Sequence, residues 1–241
     1  MGRHGTIAGR KAAQDSKRAA VFTKYARAIQ IAAKGGGDPD YNASLRVAIE
    51  AAKKMGVPND NINRAIKKGT GEIEGESFEE LSFEGYGAGG VAVIVECLTD
   101  NRNRTNSAVR STFDKYGGNV GTPGCVSYMF SRKGMIYVEK ESGANEDELM
   151  EAALEAGAED FESEDDIFVI STDPADYAAV YNALSEKYDI ADSGIEYVAS
   201  MDSTPTDEHD IKQLKKMVEV LEDNDDVQKV HTNCTVDLYE E

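Results

Sequence analysis

Two arginines open the case for chemistry in this chain. The segment Asp100-Asn101-Arg102-Asn103-Arg104-Thr105 joins the apolar run Val91 to Leu98 to a helical pattern from about Thr105 to Tyr116. The first N–H groups of a helix lack internal partners, and two guanidinium groups beside them would add charge and planar donors. That combination can hold an anion such as a phosphate. The competing account is structural: Asp100 and Asn103 cap and turn the chain, while the arginines bridge to carboxylates such as Glu96, Asp100 or Asp114. A second cationic pattern lies near the N-terminus. Arg10, Lys17 and Lys24 recur every seven residues, with Arg27 beside them and Lys11 and Arg18 adjacent in sequence. At ~100° per residue the heptad stripe falls opposite Ala19, Phe22, Ala26, Ile29 and Ala33. Such a stripe suits a phosphate backbone, although charged side chains also solvate the outer face of any helix. The candidate nucleic-acid contacts are therefore Arg10, Lys11, Lys17, Arg18, Lys24, Arg27, Arg102 and Arg104.

Other motifs point away from catalysis. Gly85-Tyr86-Gly87-Ala88-Gly89-Gly90 is followed by a strand pattern and has no Lys-Ser/Thr pair, so a tight turn between strands is expected rather than a phosphate loop. Cys97, Cys125, Cys234, His4, His209 and His231 form no close-spaced ligand pairs, so no metal is expected. Glu222-Asp223-Asn224-Asp225-Asp226 lacks the spacing of a calcium loop and reads as a solvated acidic turn. No Gly-x-Ser-x-Gly, His-Glu-x-x-His or Walker pattern occurs. A non-enzymatic protein without a cofactor is expected.

The elements that must position the cations follow from periodicity and charge. The 241 residues carry a net charge of −19, which alone argues against a polyanion partner. The distribution points the other way, because residues 1–68 carry +9 and the remainder −28. A basic segment on an acidic chain confines phosphate contact to the basic end. Three widely separated cysteines fit reduced thiols. With no signal-like N-terminus and no apolar run of ~20 residues, a cytoplasmic protein with no membrane partner is expected.

Three helices are predicted first. One runs from about Ala12 to Lys34 and ends at Gly35-Gly36-Gly37. One starts near Asp40 and stops at Gly56 and Pro58. A short one is capped by Asn59, with Gly69 just past its end. They would form a small basic bundle over residues 1–75, with Thr70 to Ser77 as linker. Strands are then predicted at Val91–Leu98, Val126–Phe130, Met135–Val138, Ile167–Ile170, Ile195–Met201 and Val227–His231. Helices are predicted after Asn145, after Asp173-Pro174 and after Thr204 or Thr206. This alternation implies an α+β fold with two ferredoxin-like split βαβ units behind the three-helix bundle.

The chain also resembles a known family. Arg10-Lys11-Ala12-Ala13-Gln14-Asp15, Gly35-Gly36-Gly37-Asp38-Pro39-Asp40, Glu84-Gly85-Tyr86-Gly87, Glu96 to Thr105, Gly117-Gly118-Asn119, Glu151 to Asp160 and Leu221 to Gln228 are similar to the YebC family, in order along nearly the whole chain. The resemblance implies a third domain inserted in the second, with residues 76–132 and 202–241 forming one discontinuous domain and 133–201 the insert. Members carry the label of transcriptional regulators. A mitochondrial relative is a translational activator of a cytochrome oxidase subunit, and some bacterial members are implicated in relieving ribosome stalling. Members often place a Trp near the N-terminus, before a Lys-His-Arg-Lys run. This chain has no Trp and reads Thr6-Ile7-Ala8-Gly9-Arg10-Lys11 there.

The reading that follows is a DNA-binding transcriptional regulator. The alternative is a translation factor that docks on ribosomal RNA, and both would use phosphate contacts. An enzyme with an unrecognised cleft is the contrasting class. Nothing in the sequence requires a dimer, so a monomer is expected.

Overall fold

A computed structural model describes residues 18–239, with side chains from residue 21 onward. In chain order the elements are α1 (Arg18–Ala32), α2 (Ala43–Lys54), α3 (Asn59–Gly69), β1 (Glu79–Tyr86), β2 (Ala92–Thr99), α4 (Arg102–Lys115), β3 (Asn119–Val120) and β4 (Phe130–Glu139). Then come α5 (Glu146–Ala156), β5 (Asp160–Ser163), β6 (Ile167–Thr172), α6 (Tyr177–Ser185), β7 (Asp192–Ala199), α7 (Glu208–Glu222) and β8 (Val227–Thr232). Residues 129–201 form one compact unit, and the other described residues form a second.

The first three helices enclose Ile29, Leu45, Ile49, Ala52, Ile62 and Ala65, the apolar positions that helical spacing singles out. The second helix begins at Ala43 rather than near Asp40. Asn42 accepts from Leu45 N–H as its cap, and the same amide donates to the carbonyls of Ala32 and Gly36. Pro58, not Asn59, holds the cap position of α3. Gly69 is the last residue of α3 rather than just past its end, and α1 comes so close there that a Cβ would stand 2.3 Å from the Gln30 carbonyl oxygen.

The same unit holds an antiparallel sheet in the order β3-β1-β2-β8. Helices α4 and α7 pack on one face through Val109, Phe113, Leu214, Met217 and Leu221. Nearly every residue of β2 is buried, which explains its continuous apolar run. A tight turn joins β1 to β2, as expected, but it spans Gly87 to Gly90, since Gly85 and Tyr86 are still paired within β1, and Gly89 sits at φ +71°. Strand β1 itself has no counterpart among the strands expected from sequence.

Residues 129–201 form a sheet in the order β5-β6-β4-β7, the strand order of a split βαβ unit, with α5 and α6 as its helices. Its buried residues include Ile136, Val138, Leu149, Ile170, Val180 and Leu184. The chain leaves the first unit at Tyr128 and returns at Asp202, so this unit is an insertion.

Several boundaries differ from the sequence reading for local reasons. The strand predicted at Val126–Phe130 begins only at Phe130. The N–H groups of Gly124, Val126 and Ser127 go instead to the Glu84 carboxylate, at 2.8, 3.1 and 2.8 Å. Helix α4 starts at Arg102 rather than Thr105, because Asn101, not Asp100 or Asn103, caps it. Helix α6 starts at Tyr177 after a turn on Asp173, and α7 is capped by Asp207 rather than Thr204 or Thr206.

Candidate nucleic-acid interface

Of the expected contacts, Arg10, Lys11 and Lys17 lie outside the described residues, and Arg18 begins α1 with its side chain undescribed. Lys24 and Arg27 lie on α1, but not on a free outer face. No described side chain of α1 is exposed. Lys24 donates its ammonium to the Glu222 carbonyl. Burial pulls its pKa below the ordinary value, against the nearby charges of Glu222, Asp225 and Asp223. Arg27 donates to the Asp225 carbonyl at 2.6 Å and to the Asp226 carboxylate at 2.8 Å, and its guanidinium lies 5.1 Å from the Phe78 ring centroid.

Arg104 converges on the same carboxylate. Its Nη2 lies 2.9 and 2.8 Å from the two Asp226 oxygens and 2.8 Å from Asp100, while Nε donates to Asp226 at 3.1 Å. Thr105 adds a hydroxyl donor at 2.8 Å. The Asp226 side chain is only 4% exposed. Burial alone would raise its pKa, but hydrogen bonds from Arg104, Thr105 and Arg27 outweigh that and hold the carboxyl below its ordinary value. Asp226 thus ties α1, the start of α4 and the α7–β8 turn together. Of the candidate contacts, Arg27 and Arg104 are thus engaged with an internal carboxylate.

Arg102 differs from its neighbour. Its side chain is 69% exposed, and its ion pair is a 3.4 Å contact with Glu79. The loop therefore splits into a structural arginine and an exposed one. Sequence reasoning misses the hub because the acidic run 222–226 reads as a solvated turn. Within it Asp226 immediately precedes a strand, and that junction is where a carboxylate turns inward.

Exposed cations lie elsewhere on the bundle. Lys53 near the end of α2, and Arg64 and Lys67 on α3, are exposed and form no ion pair among the described residues. Beside Arg64, a cavity of about 630 Å³ opens between α1 and α3, reached by Phe22, Asn61, Lys68 and Phe78.

Other chemical groups are placed as follows. Burial pushes the Cys97 thiol up to about 12 and raises Cys125 and Cys234. Asp207, His209 and Asp210 offer ligand atoms within 4.8 Å of one another, but an Asp207 oxygen is already the cap of α7, accepting from two N–H groups. Among the described residues no helix is long and apolar enough to cross a membrane.

An insertion-bearing α+β scaffold that holds a cationic helical module by an internal ion-pair hub is the class that fold and site define. Comparison with known proteins places it further. Residues 3–72 match the family model of the TACO1/YebC protein N-terminal domain, and residues 78–234 that of the TACO1/YebC second and third domain. The chain belongs to the TACO1/YebC family. It is 52% identical over 239 residues to a probable transcriptional regulatory protein of Clostridioides difficile, covering 98% of this chain and 100% of that one. A protein of the same description from Desulfotalea psychrophila is 50% identical over 240 residues, covering 96% and 93%. A crystal structure of a conserved hypothetical protein from Aquifex aeolicus superposes with a TM-score of 0.85 at 44% identity, covering 94% of this chain and 93% of that one.

Proposed function

We propose that the protein is a non-enzymatic regulator of gene expression that binds nucleic acid through its helical bundle. The observation that carries this reading is the set of exposed cations Lys53, Arg64 and Lys67, which have no ion pair among the described residues. In a chain of net −19, cations left without internal partners on one module form a local site for phosphate. The label of the relatives, transcriptional regulation, agrees with a nucleic-acid partner and with DNA as a target. Thiols whose pKa is raised are poor nucleophiles at neutral pH, in keeping with binding rather than covalent catalysis.

The test uses the whole chain. Lys53→Glu with Lys67→Glu should weaken binding to both duplex DNA and structured RNA, measured by fluorescence anisotropy. Melting temperature should stay near that of the parent, because exposed substitutions rarely cost more than ~0.5 kcal/mol. If the parent protein binds neither nucleic acid at low salt, the reading is wrong.

A further inference from the structure

The cavity beside Arg64 has walls of unequal character. One wall is aromatic, formed by the half-buried ring of Phe22 and by Phe78 with the Arg27 guanidinium lying over it. The opposite wall is α3, which presents the exposed side chains of Asn61 and Arg64. Neither of these two has a side-chain hydrogen bond or ion pair among the described residues. The floor is already satisfied: Lys68 pairs with Glu76 at 2.8 Å, and the Gln30 amide donates to the Glu76 carbonyl at 2.7 Å. The donors with spare capacity, Asn61 and Arg64, are therefore exposed members of a mostly polar lining that also holds the half-buried ring of Phe22.

We infer that this slot receives one unstacked nucleotide of a single-stranded RNA. The inference rests on the nucleic-acid reading above and gives it a location. An unpaired base has two faces for stacking and one polar edge. Aromatic rings and arginine planes take the faces, and an amide such as Asn61 can pair with the edge. About 630 Å³ is ample for one nucleotide, whereas a base held in a duplex could not enter. Arg64 at the lip suits the adjoining phosphate. Two carboxylates also line the slot, Glu76 and Asp100. They would repel a phosphate or an acidic peptide placed inside. Each has one oxygen committed, to Lys68 and Arg104 respectively, and another able to accept from a sugar hydroxyl. The 2′-hydroxyl is the donor that RNA has and DNA lacks, so ribose is favoured over deoxyribose.

The experiment is an anisotropy titration of the full chain with a labelled single-stranded RNA, the same sequence as DNA, and the RNA as a duplex. Single-stranded RNA should bind tightest. Arg64→Glu and Phe22→Leu should each weaken it, with Arg64→Glu costing about tenfold or more. Leucine at 22 keeps apolar packing while removing the stacking plane, and unchanged melting temperatures would show that both variants are folded. Ultraviolet crosslinking of the bound RNA should map to the peptide holding Phe22. Loss of RNA binding in Lys53→Glu with Lys67→Glu, together with full binding by Arg64→Glu, would overturn the slot and leave the nucleic-acid reading intact. Equal affinity for single-stranded DNA would overturn the ribose assignment. Displacement of the RNA by poly-glutamate at matched charge would mark an acidic protein partner and overturn the proposal. A parent protein that binds no nucleic acid would remove both readings together.

Discussion

Asp226 shows how one carboxylate can redirect the meaning of two cations. Arg27, beside the N-terminal stripe, and Arg104, in the segment before α4, are both legible as candidate contacts from the sequence. Their target is not, because Asp226 is distant from Arg27 by about two hundred residues and sits in a run of acids that looks solvated. The structural account of the arginine loop names Asp100 as a partner, and Arg104 does pair with it. The larger partner is the buried Asp226. Asp226→Asn keeps the shape but leaves two guanidinium groups facing a neutral amide. It is expected to destabilise the protein by about 2–4 kcal/mol in urea denaturation at neutral pH, the range for breaking a buried charged pair. The acid dependence has a definite sign. A carboxyl whose folded pKa lies below its unfolded value stabilises fully above the unfolded pKa of ~3.9 and loses that contribution as pH falls through the folded value. The gap between parent and Asp226→Asn should therefore narrow below about pH 4. A gap that stays constant down to about pH 2 would show that the Asp226 charge is not what holds the hub.

Elements are legible where periodicity is strong and hidden where propensity argues against them. The three bundle helices and β2 carry long, unbroken apolar patterns. Strand β1 does alternate, with Leu81 and Phe83 packing on the helices while Glu80 and Ser82 face away. Its glutamates and Gly85 have low strand propensity, which masks the pattern. Strands β3 and β5 have two and four residues, too short to show a period. Gly85 also shows why a poor strand former is kept there. A Cβ at that position would stand 2.3 Å from the Asn119 carbonyl oxygen of β3 and 3.0 Å from the Phe113 ring. Gly85→Ala is expected to cost about 1–3 kcal/mol, read as a lower melting temperature, because backbone rather than a side-chain tip must yield. At Gly87 the nearest atoms are the ends of Leu214 and Met217, so alanine there should cost less. Equal losses at the two positions would argue against this account of β1.

Across the whole molecule, the charge split between residues 1–68 and the remainder is plain from the sequence, and the alternation of strand and helix patterns makes an α+β fold legible too. The insertion of residues 129–201 is not, since strands and helices alternate alike on both sides of its ends. Only the family resemblance implies it. The internal hub also changes what the positive module can release. A cation already neutralised by a carboxylate or a carbonyl carries few condensed ions, and displaces few when a polyanion arrives. Lys24, Arg27 and Lys68 are occupied in this way, whereas Lys53, Arg64 and Lys67 are not. Counting all fourteen Lys and Arg of residues 1–68 would forecast a steep dependence of log K on log salt. Three exposed and uncommitted cations, with Arg46 half-buried beside them in the count, forecast a slope of only about −3 to −4 on duplex DNA from the described residues. A slope several units steeper, measured on a variant with Arg3, Arg10, Lys11, Lys17 and Arg18 changed to Ala so that the cations ahead of the described side chains do not contribute, would mean that the hub opens on binding and surrenders its own ions to the ligand.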